Sequence, residues 1–325
     1  ARSPLRLSAG VDVSVCETWN HSTLMPVSVT EIDSLRAELF ADDIDLPDEA
    51  YQSWTLQDVR LFFECGGLLP PSSRLTRRQA SQPLRILSLH GGGGNAELNK
   101  MQVARLAAAL GSGAGVVVDY IEGTRPWKRE NVDPQLIRMF GTDTEFFGWY
   151  GVENDRTGNG ANSSDAAYLA AMFDPSVEFR YVEAEAAMDR VEAHIEAHGP
   201  YDCLCGFSQG AIIITLLTAR RLERAASGEA SPPSWLCNIL ISGLPPRAGK
   251  YRPLPKPAVP FIAGFPAVSI MGRKDPFFEY AKLLHNLYDR LDWFEHEGGH
   301  HAPSDSALNA RVAGAIWRAL GTAPL

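Results

Sequence analysis

The segment that decides the fold is Tyr201-Asp202-Cys203-Leu204-Cys205-Gly206-Phe207-Ser208-Gln209-Gly210-Ala211. Its apolar first half is typical of a buried strand, and a strong helix pattern runs from Gln209 to Ala226. Between them stands a G-x-S-x-G pentapeptide, the sharp strand-to-helix turn that projects a serine hydroxyl outward. The positive end of the helix suits an anionic intermediate. The pattern predicts Ser208 as a nucleophile, with an ordinary glycine-rich turn as the alternative.

Strands and helices alternate on both sides of this segment. The predicted strands are Leu84–His90, Gly115–Ile121, Tyr201–Phe207, Trp235–Ser242, Ala267–Met271 and Leu291–His296. The predicted helices are Met101–Leu110, Glu183–His198, Gln209–Ala226, Phe277–Tyr288 and Ser304–Leu320. Strands separated by helices predict an α/β fold, with a mostly parallel central sheet flanked by helices.

A serine nucleophile needs a base and an acid that orients it, in the chain order serine, acid, histidine for this type of turn. His300 lies in the glycine-rich loop between the last strand and the last helix, with His301 as its competitor for the role of base. Asp275 follows a strand and precedes Pro276, which also suits a helix N-cap. We expect Ser208, Asp275 and His300 to form a triad.

An oxyanion hole needs two backbone N–H groups aimed at one point. We expect one from Gln209 and the other from the loop His90-Gly91-Gly92-Gly93-Gly94-Asn95, at Gly92 or next at Gly91. A phosphate-binding loop is the rival interpretation of the four glycines. It lacks both the G-x-G-x-x-G spacing and a G-K-[ST] ending.

Two parts of the chain depart from the alternation. Residues 123–182 form a long aromatic-rich insertion, either a lid or pocket wall or a surface excursion with its own small core. We expect its Trp127, Phe147, Trp149 and Tyr150 to contact substrate. Residues 1–83 are predicted to be a helical N-terminal extension and linker, and residues 84–325 the catalytic domain.

The N-terminal extension carries most of the charge. The 325-residue chain has a formal net charge of −9, and the stretch from Glu31 to Glu64 contributes −8 of it through ten acidic residues and two arginines. Helical apolar patterns occur around Ile32 and Leu35 and again from Thr55 to Phe63. Because such stripes need a partner, we expect the extension to dock onto the catalytic domain, with recruitment of another protein as the alternative.

Composition excludes several classes. With 45% hydrophobic and 21% charged residues the chain is neither disordered nor of low complexity, and its acidity disfavours nucleic-acid binding. No apolar run reaches the roughly 18 residues of a membrane span. The five cysteines lack metal-ligand spacing, and Cys203 and Cys205 should be buried thiols on one strand face, in a reducing compartment. We expect an intracellular, cytoplasmic protein, and the basic, serine-containing opening 1–8 suggests organellar targeting as the alternative.

Together these motifs resemble one family, the family of serine hydrolases (FSH), over about residues 84–320. The matching segments are Leu89-His90-Gly91, Asn95-Ala96-Glu97, Gly199-Pro200-Tyr201-Asp202, Gly206-Phe207-Ser208-Gln209-Gly210-Ala211, Leu240-Ile241-Ser242-Gly243 and Gly298-Gly299-His300. The resemblance implies an α/β-hydrolase with nucleophile Ser208, acid Asp275 and base His300. It also implies oxyanion donors at Gly92 and Gln209.

The resemblance also indicates the reaction. We expect a cofactor-free serine hydrolase that cleaves a small-molecule carboxylic ester or thioester, a carrier-bound acyl chain included, through an acyl-serine intermediate. The aromatic residues of the insertion suggest an apolar acyl group. A non-hydrolytic relative that binds a ligand or recruits a partner, and an acyltransferase or lactone-forming variant, are the alternatives. The four-glycine run is richer in glycine than the usual family loop, and the extension and insertion lie outside the common core.

Overall fold

The computed structural model describes residues 28–38, 59, 83–111, 115–156 and 166–320. Its central sheet has six parallel strands, in the order β10-β9-β8-β7-β1-β2. They are β1 (Leu84–Leu89), β2 (Val116–Ile121), β7 (Cys203–Phe207), β8 (Cys237–Ile241), β9 (Ala267–Gly272) and β10 (Leu291–His296). This sheet confirms the predicted α/β-hydrolase architecture, and its strands match the predicted ones to within a few residues.

Helices cover both faces of the sheet. Within the described residues the α-helices are α1 (Val29–Glu38), α2 (Ala96–Leu110), α3 (Pro134–Phe140), α4 (Ala166–Phe173), α5 (Ala184–His198), α6 (Gln209–Ala226), α7 (Phe278–Ala281) and α8 (Ser306–Ala319). On one face of the sheet, α2 and α8 pack against alternate strand residues such as Ile86 and Cys205. On the other face, α5 and α6 pack against residues such as Leu87 and Leu204. Because side chains alternate along a strand, each central strand contributes to both cores.

The predicted helix Phe277–Tyr288 is not one continuous α-helix in the structure. The structure has one α-helical turn, α7, followed by a 3₁₀ helix over Lys282–Asn286. The tighter winding has a period of three residues, so Leu284 and Leu287 fall on the same side. Both are completely buried.

The described part of the insertion, 123–156 and 166–182, contains two small ribbons, helices α3 and α4, and a 3₁₀ helix over Arg129–Asn131. β3 (Arg125–Pro126) pairs with β4 (Phe147–Gly148), and β5 (Gly151–Asn154) pairs with β6 (Phe179–Val182), both antiparallel. The carbonyl of Phe147 accepts the N–H groups of Gly93 and Gly94 at 2.9 and 3.2 Å. The insertion is therefore tied by backbone hydrogen bonds to the loop that follows β1.

Little of the N-terminal extension is described. Helix α1 confirms the helix predicted around Ile32 and Leu35, whose side chains are 1% and 4% exposed, so its apolar face is covered by protein. The second predicted helical piece, Thr55 to Phe63, and the linker 70–82 lie outside the described residues apart from Val59. Docking of the extension onto the catalytic domain stays a prediction.

Three cysteines occupy the centre of the sheet. Cys203 and Cys205 on β7 and Cys237 on β8 are free thiols in one apolar core, which confirms the predicted buried thiols. Cys203 lies directly opposite Cys237 in the register of the two strands. Burial raises the pKa of Cys205 to about 12. Cys16 and Cys65 lie outside the described residues.

A buried polar network connects strand β8 with helix α6 and with Tyr288. The Asn238 side chain on β8 accepts from the Trp235 indole at 3.0 Å and donates to the hydroxyls of Thr218 and Tyr288 at 2.9 and 3.2 Å. Tyr288 also meets the Thr215 hydroxyl at 3.1 Å. One side chain thus connects α6 with β8 and the segment after the 3₁₀ helix.

Among the described residues, no helix is long and apolar enough to cross a membrane.

Replacing Asn238 by leucine should destabilise the protein by about 1–3 kcal/mol, because the buried Trp235 N–H loses its acceptor. The matched control is Thr215→Val, which removes a single hydroxyl and leaves Tyr288 bonded to Asn238. Urea denaturation of the two variants measures the difference. An Asn238→Leu loss no larger than that of Thr215→Val would contradict the structural role of the network.

Candidate active site

The turn between β7 and α6 places Ser208 at the carboxyl edge of the sheet. Ser208 has φ 49° and ψ −112°, a backbone conformation that non-glycine residues rarely adopt, and helix α6 begins at the next residue. Its N–H donates to the carbonyl of Ile241 at 2.9 Å, which holds the strained turn against β8. The side chain is half-buried, so the hydroxyl stands at an accessible point.

The two flanking glycines are required by close backbone contacts. A Cβ on Gly206 would lie 2.4 Å from the nitrogen of Ala211, and one on Gly210 would lie 2.5 Å from the carbonyl oxygen of Leu89. Any side chain at these positions would push the helix away from the strand. The G-x-S-x-G spacing thus reflects how tightly α6 packs on the ends of β7 and β1.

Asp275 and His300 meet at the same edge. The Asp275 side chain is completely buried, and its Oδ2 lies 2.6 Å from Nδ1 of His300. Because a carboxylate only accepts, Nδ1 carries the proton and Nε2 is left as an acceptor. The imidazole is 31% exposed, and its ring centroid lies 5.2 Å from that of Phe207, the residue before Ser208.

Phe277 and not Asp275 is the N-cap of helix α7, so the capping alternative for Asp275 is wrong. Its Oδ1 accepts the N–H of Phe277 at 2.9 Å. One oxygen of the carboxylate therefore fixes the turn into α7 while the other orients His300. The Phe277 ring also packs against the imidazole of His300, at 6.0 Å between centroids.

His301, the rival for the role of base, turns away from this pair. Its Nε2 accepts the N–H of Gly299 at 3.2 Å, and its Nδ1 donates to the carbonyl of Ala302 at 2.9 Å. Both ring nitrogens are engaged by neighbouring backbone groups. Among the residues the structure describes, the carboxylate of Asp275 contacts His300 and not His301.

The loop after β1 lies against the turn at Ser208. An added Cβ on Gly91 would be 3.3 Å from Cβ of Ser208, and one on Gly92 would be 3.0 Å from Cδ of Gln209. The N–H groups of Gly93 and Gly94 donate to the carbonyl of Phe147. The backbone N–H groups of Gly91, Gly92 and Gln209 have no hydrogen-bond acceptor within the described ranges. The predicted oxyanion donors are thus adjacent and available.

His90 sets the direction of the Gly92 N–H. The ring is completely buried, its Nε2 accepts the N–H of Gly123 at 2.8 Å, and its Nδ1 donates to the carbonyl of Gly91 at 2.6 Å. In a trans peptide the N–H points opposite to the carbonyl, so the Gly92 N–H faces away from the imidazole. The Leu89-His90-Gly91 motif at the end of β1 is the sequence signal that points to His90. The two hydrogen bonds of its ring could not be predicted from that motif.

The Gln209 side chain ties the insertion to the nucleophile turn. Its Oε1 accepts the N–H of Trp149 at 3.1 Å, and its Nε2 donates to the carbonyl of Tyr150 at 3.2 Å. The sequence predicted a role only for the backbone N–H of Gln209, as an oxyanion donor. The side chain closes a two-point bridge that no local pattern would show.

The four aromatic residues predicted to contact substrate fall into two pairs. Trp127 and Phe147 are half-buried beside Gly92 and Gly94. Trp149 and Tyr150 are each 2% exposed: the Trp149 indole donates to the His90 carbonyl at 2.7 Å, and the Tyr150 ring packs on Tyr181 at 4.4 Å. The structure therefore places the second pair in the core beneath the site.

Comparisons with known proteins find similarity over most of the chain. Residues 80–312 match the family described as "Serine hydrolase (FSH1)". Hydrolase phiM from a fungal species (strain ATCC 74256) is 27% identical over 242 residues, 72% of this chain and 93% of phiM. Esterase FPY3 from Fusarium mangiferae is 25% identical over 229 residues, 68% of this chain and 88% of FPY3.

A third relative is named as a thioesterase. The dihydromonacolin L-[lovastatin nonaketide synthase] thioesterase of Aspergillus terreus is 27% identical over 135 residues, which is 42% of this chain and 46% of the thioesterase.

The protonation state of His90 gives a stability test. Burial lowers its pKa, so the folded protein keeps the ring neutral while the unfolded chain binds a proton below the ordinary value. The stabilising effect is full above the unfolded pKa and is lost as pH falls toward the folded one.

His90→Gln cannot titrate in this range. The free energy of unfolding of the wild type should therefore drop more between pH 7.5 and pH 5.5 than that of His90→Gln, as measured by urea denaturation at both pH values. Equal drops would show that His90 is not held neutral by the fold.

Proposed function

The chain belongs to the FSH1 family of serine hydrolases, and on that premise we propose that it cleaves an ester or thioester with an apolar acyl group through an acyl-Ser208 intermediate. The observation that carries the proposal is the Asp275–His300 contact of 2.6 Å at the sheet edge that also bears the strained Ser208 turn. The protein is a serine hydrolase of the esterase and thioesterase type.

In the acylation step His300 acts as general base. Its free Nε2 takes the proton from the Ser208 hydroxyl as Oγ attacks the substrate carbonyl carbon. The carbonyl oxygen becomes an oxyanion held by the N–H groups of Gly92 and Gln209. The carbon–oxygen or carbon–sulfur bond then breaks, and the imidazolium of His300 gives its proton to the departing alcohol or thiol.

In the deacylation step water replaces the leaving group. His300 takes a proton from water, which attacks the acyl carbon, and returns a proton to Oγ of Ser208 as the carboxylic acid leaves. Asp275 keeps the imidazole in the tautomer that both steps need and stabilises the imidazolium. Its burial protects this contact from competing water.

The acyl group is assigned from the walls of the site. Trp127 and Phe147 present aromatic surface next to the oxyanion loop, with Trp127 Cη2 only 3.1 Å from a Cβ placed on Gly92. Apolar burial of an acyl chain against such rings is favourable at roughly 25 cal/mol per Å². Trp149 and Tyr150 support this wall from behind through Gln209. We assign direct contact with the acyl chain to Trp127 and Phe147.

Labelling with a fluorophosphonate probe tests the nucleophile. The wild type should be labelled and should hydrolyse p-nitrophenyl esters, while Ser208→Ala should lose both. Ser242→Ala is the matched control, because Ser242 also ends a strand with a positive φ of 47°. Persistent labelling of Ser208→Ala would overturn the assignment.

Substitution of Asp275 by asparagine tests the acid separately from the fold. Asparagine can still accept the Phe277 N–H, so the turn should survive, but its amide cannot hold the His300 tautomer. We expect kcat to fall by about 10³–10⁴ with little change in melting temperature. A loss of less than tenfold would exclude Asp275 as the orienting acid.

A panel of acyl esters and the matching acyl thioesters identifies the leaving group and the acyl length. Longer apolar chains should raise kcat/KM until the wall formed by Trp127 and Phe147 is filled, and Trp127→Ala should flatten that dependence. A length profile unchanged in Trp127→Ala would remove this residue from the acyl site.

A further inference from the structure

Two histidines flank the loop that carries His300. His296 is the last residue of β10, and His301 follows His300 directly. Their rings lie 4.9 Å apart between centroids, with Gly298 between them. Neither residue has a part in the steps described above.

Each imidazole accepts one backbone N–H of that loop. Gly298 donates to Nδ1 of His296 at 3.1 Å, and Gly299 donates to Nε2 of His301 at 3.2 Å. A nitrogen that accepts carries no proton, so both rings act in their neutral forms. Burial and the neighbouring His301 lower the pKa of His296, which favours that form.

The contact at Gly298 leaves no room for a side chain. A Cβ there would lie 2.3 Å from Cε1 and Nε2 of His301 and 2.8 Å from Nδ1 of His296. The two rings therefore close on the α-carbon of the loop.

The opposite side of the loop is held by the end of β9. The Gly298 carbonyl accepts the N–H of Lys274 at 2.9 Å, and a Cβ on Gly272 would lie 2.2 Å from the carbonyl oxygen of Gly299. The peptides just before His300 are thus bounded by imidazoles on one side and by the strand that leads to Asp275 on the other.

We propose that His296 and His301 are positioning residues that fix the Gly298-Gly299 backbone so that His300 meets both Asp275 and the nucleophile. This rests on the proposed function of His300 as the base. The acceptor nitrogens hold the loop, and the loop holds the imidazole that reacts. A displacement of about 1 Å in such a group costs on the order of a hundredfold in rate.

Conservative substitutions separate the acceptor from the ring. Asparagine at 296 puts an oxygen where Nδ1 stands, and glutamine at 301 puts one where Nε2 stands. His296→Asn and His301→Gln should keep kcat within about threefold of wild type. His296→Leu and His301→Leu, which leave the glycine N–H groups without acceptors, should lower kcat at least tenfold with KM nearly unchanged. His285→Leu, an exposed histidine of the 3₁₀ helix, is the control and should match wild type.

Steady-state kinetics on the best p-nitrophenyl ester, with melting temperatures in parallel, decide the outcome. The proposal is overturned if the leucine variants stay within threefold of wild type, or if the asparagine and glutamine variants lose as much kcat as the leucine ones. Should either leucine variant fail to fold, His301→Ala at the exposed position takes its place under the same thresholds. Failure of the proposed function looks different: the wild type itself would show no turnover, or Ser208→Ala would still be labelled.

Discussion

The site depends on one backbone contact, the approach of Gly210 in the first turn of α6 to the carbonyl oxygens of Leu89 and His90 at the end of β1. The distances of 2.5 and 2.7 Å that a Cβ would have to those oxygens show that nothing larger than hydrogen fits. This contact brings the helix start, the strained Ser208 and the loop of Gly91 and Gly92 to one point. Without it, Ser208 and the loop of Gly91 and Gly92 would belong to separate surfaces.

Buried polar side chains then hold this arrangement from behind. His90 links the loop after β1 to the loop after β2, and Gln209 links the nucleophile turn to the insertion. His90 uses both ring nitrogens on backbone groups, and the half-buried Gln209 uses its Oε1 and one N–H of Nε2 in the same way. Polar groups that are paired like this stabilise a unique structure. The insertion is in this way part of the framework of the site as well as its wall.

The sequence predicted the sheet well because its strands and helices are local in the chain. The triad stays a prediction, of which the structure shows the contact between Asp275 and His300. Strand length, helix periodicity and the glycines around Ser208 each depend on a few consecutive residues. The bonds of His90 and Gln209 and the burial of Trp149 and Tyr150 depend on residues about 30 to 60 positions apart, which no local pattern specifies. At Phe277–Tyr288 the pattern predicted one helix, and the structure divides it into the α-helical turn α7 and a 3₁₀ helix.

The reactivity of the thiols at the centre of the sheet reports how often the fold opens around them. Cys203, Cys205 and Cys237 are at most 3% exposed. The hydrogen bond with Cys237 and burial raise the pKa of Cys203, and burial raises the pKa of Cys205. A buried thiol of raised pKa reacts slowly with alkylating agents. Modification of these residues must therefore await opening of the core between the sheet and helices α2 and α8, so the alkylation rate measures how often those helices leave the strands. The proposed nucleophile Ser208 and the two cysteines of β7, which precede it by three and five residues, would thus react with different electrophiles and on different timescales.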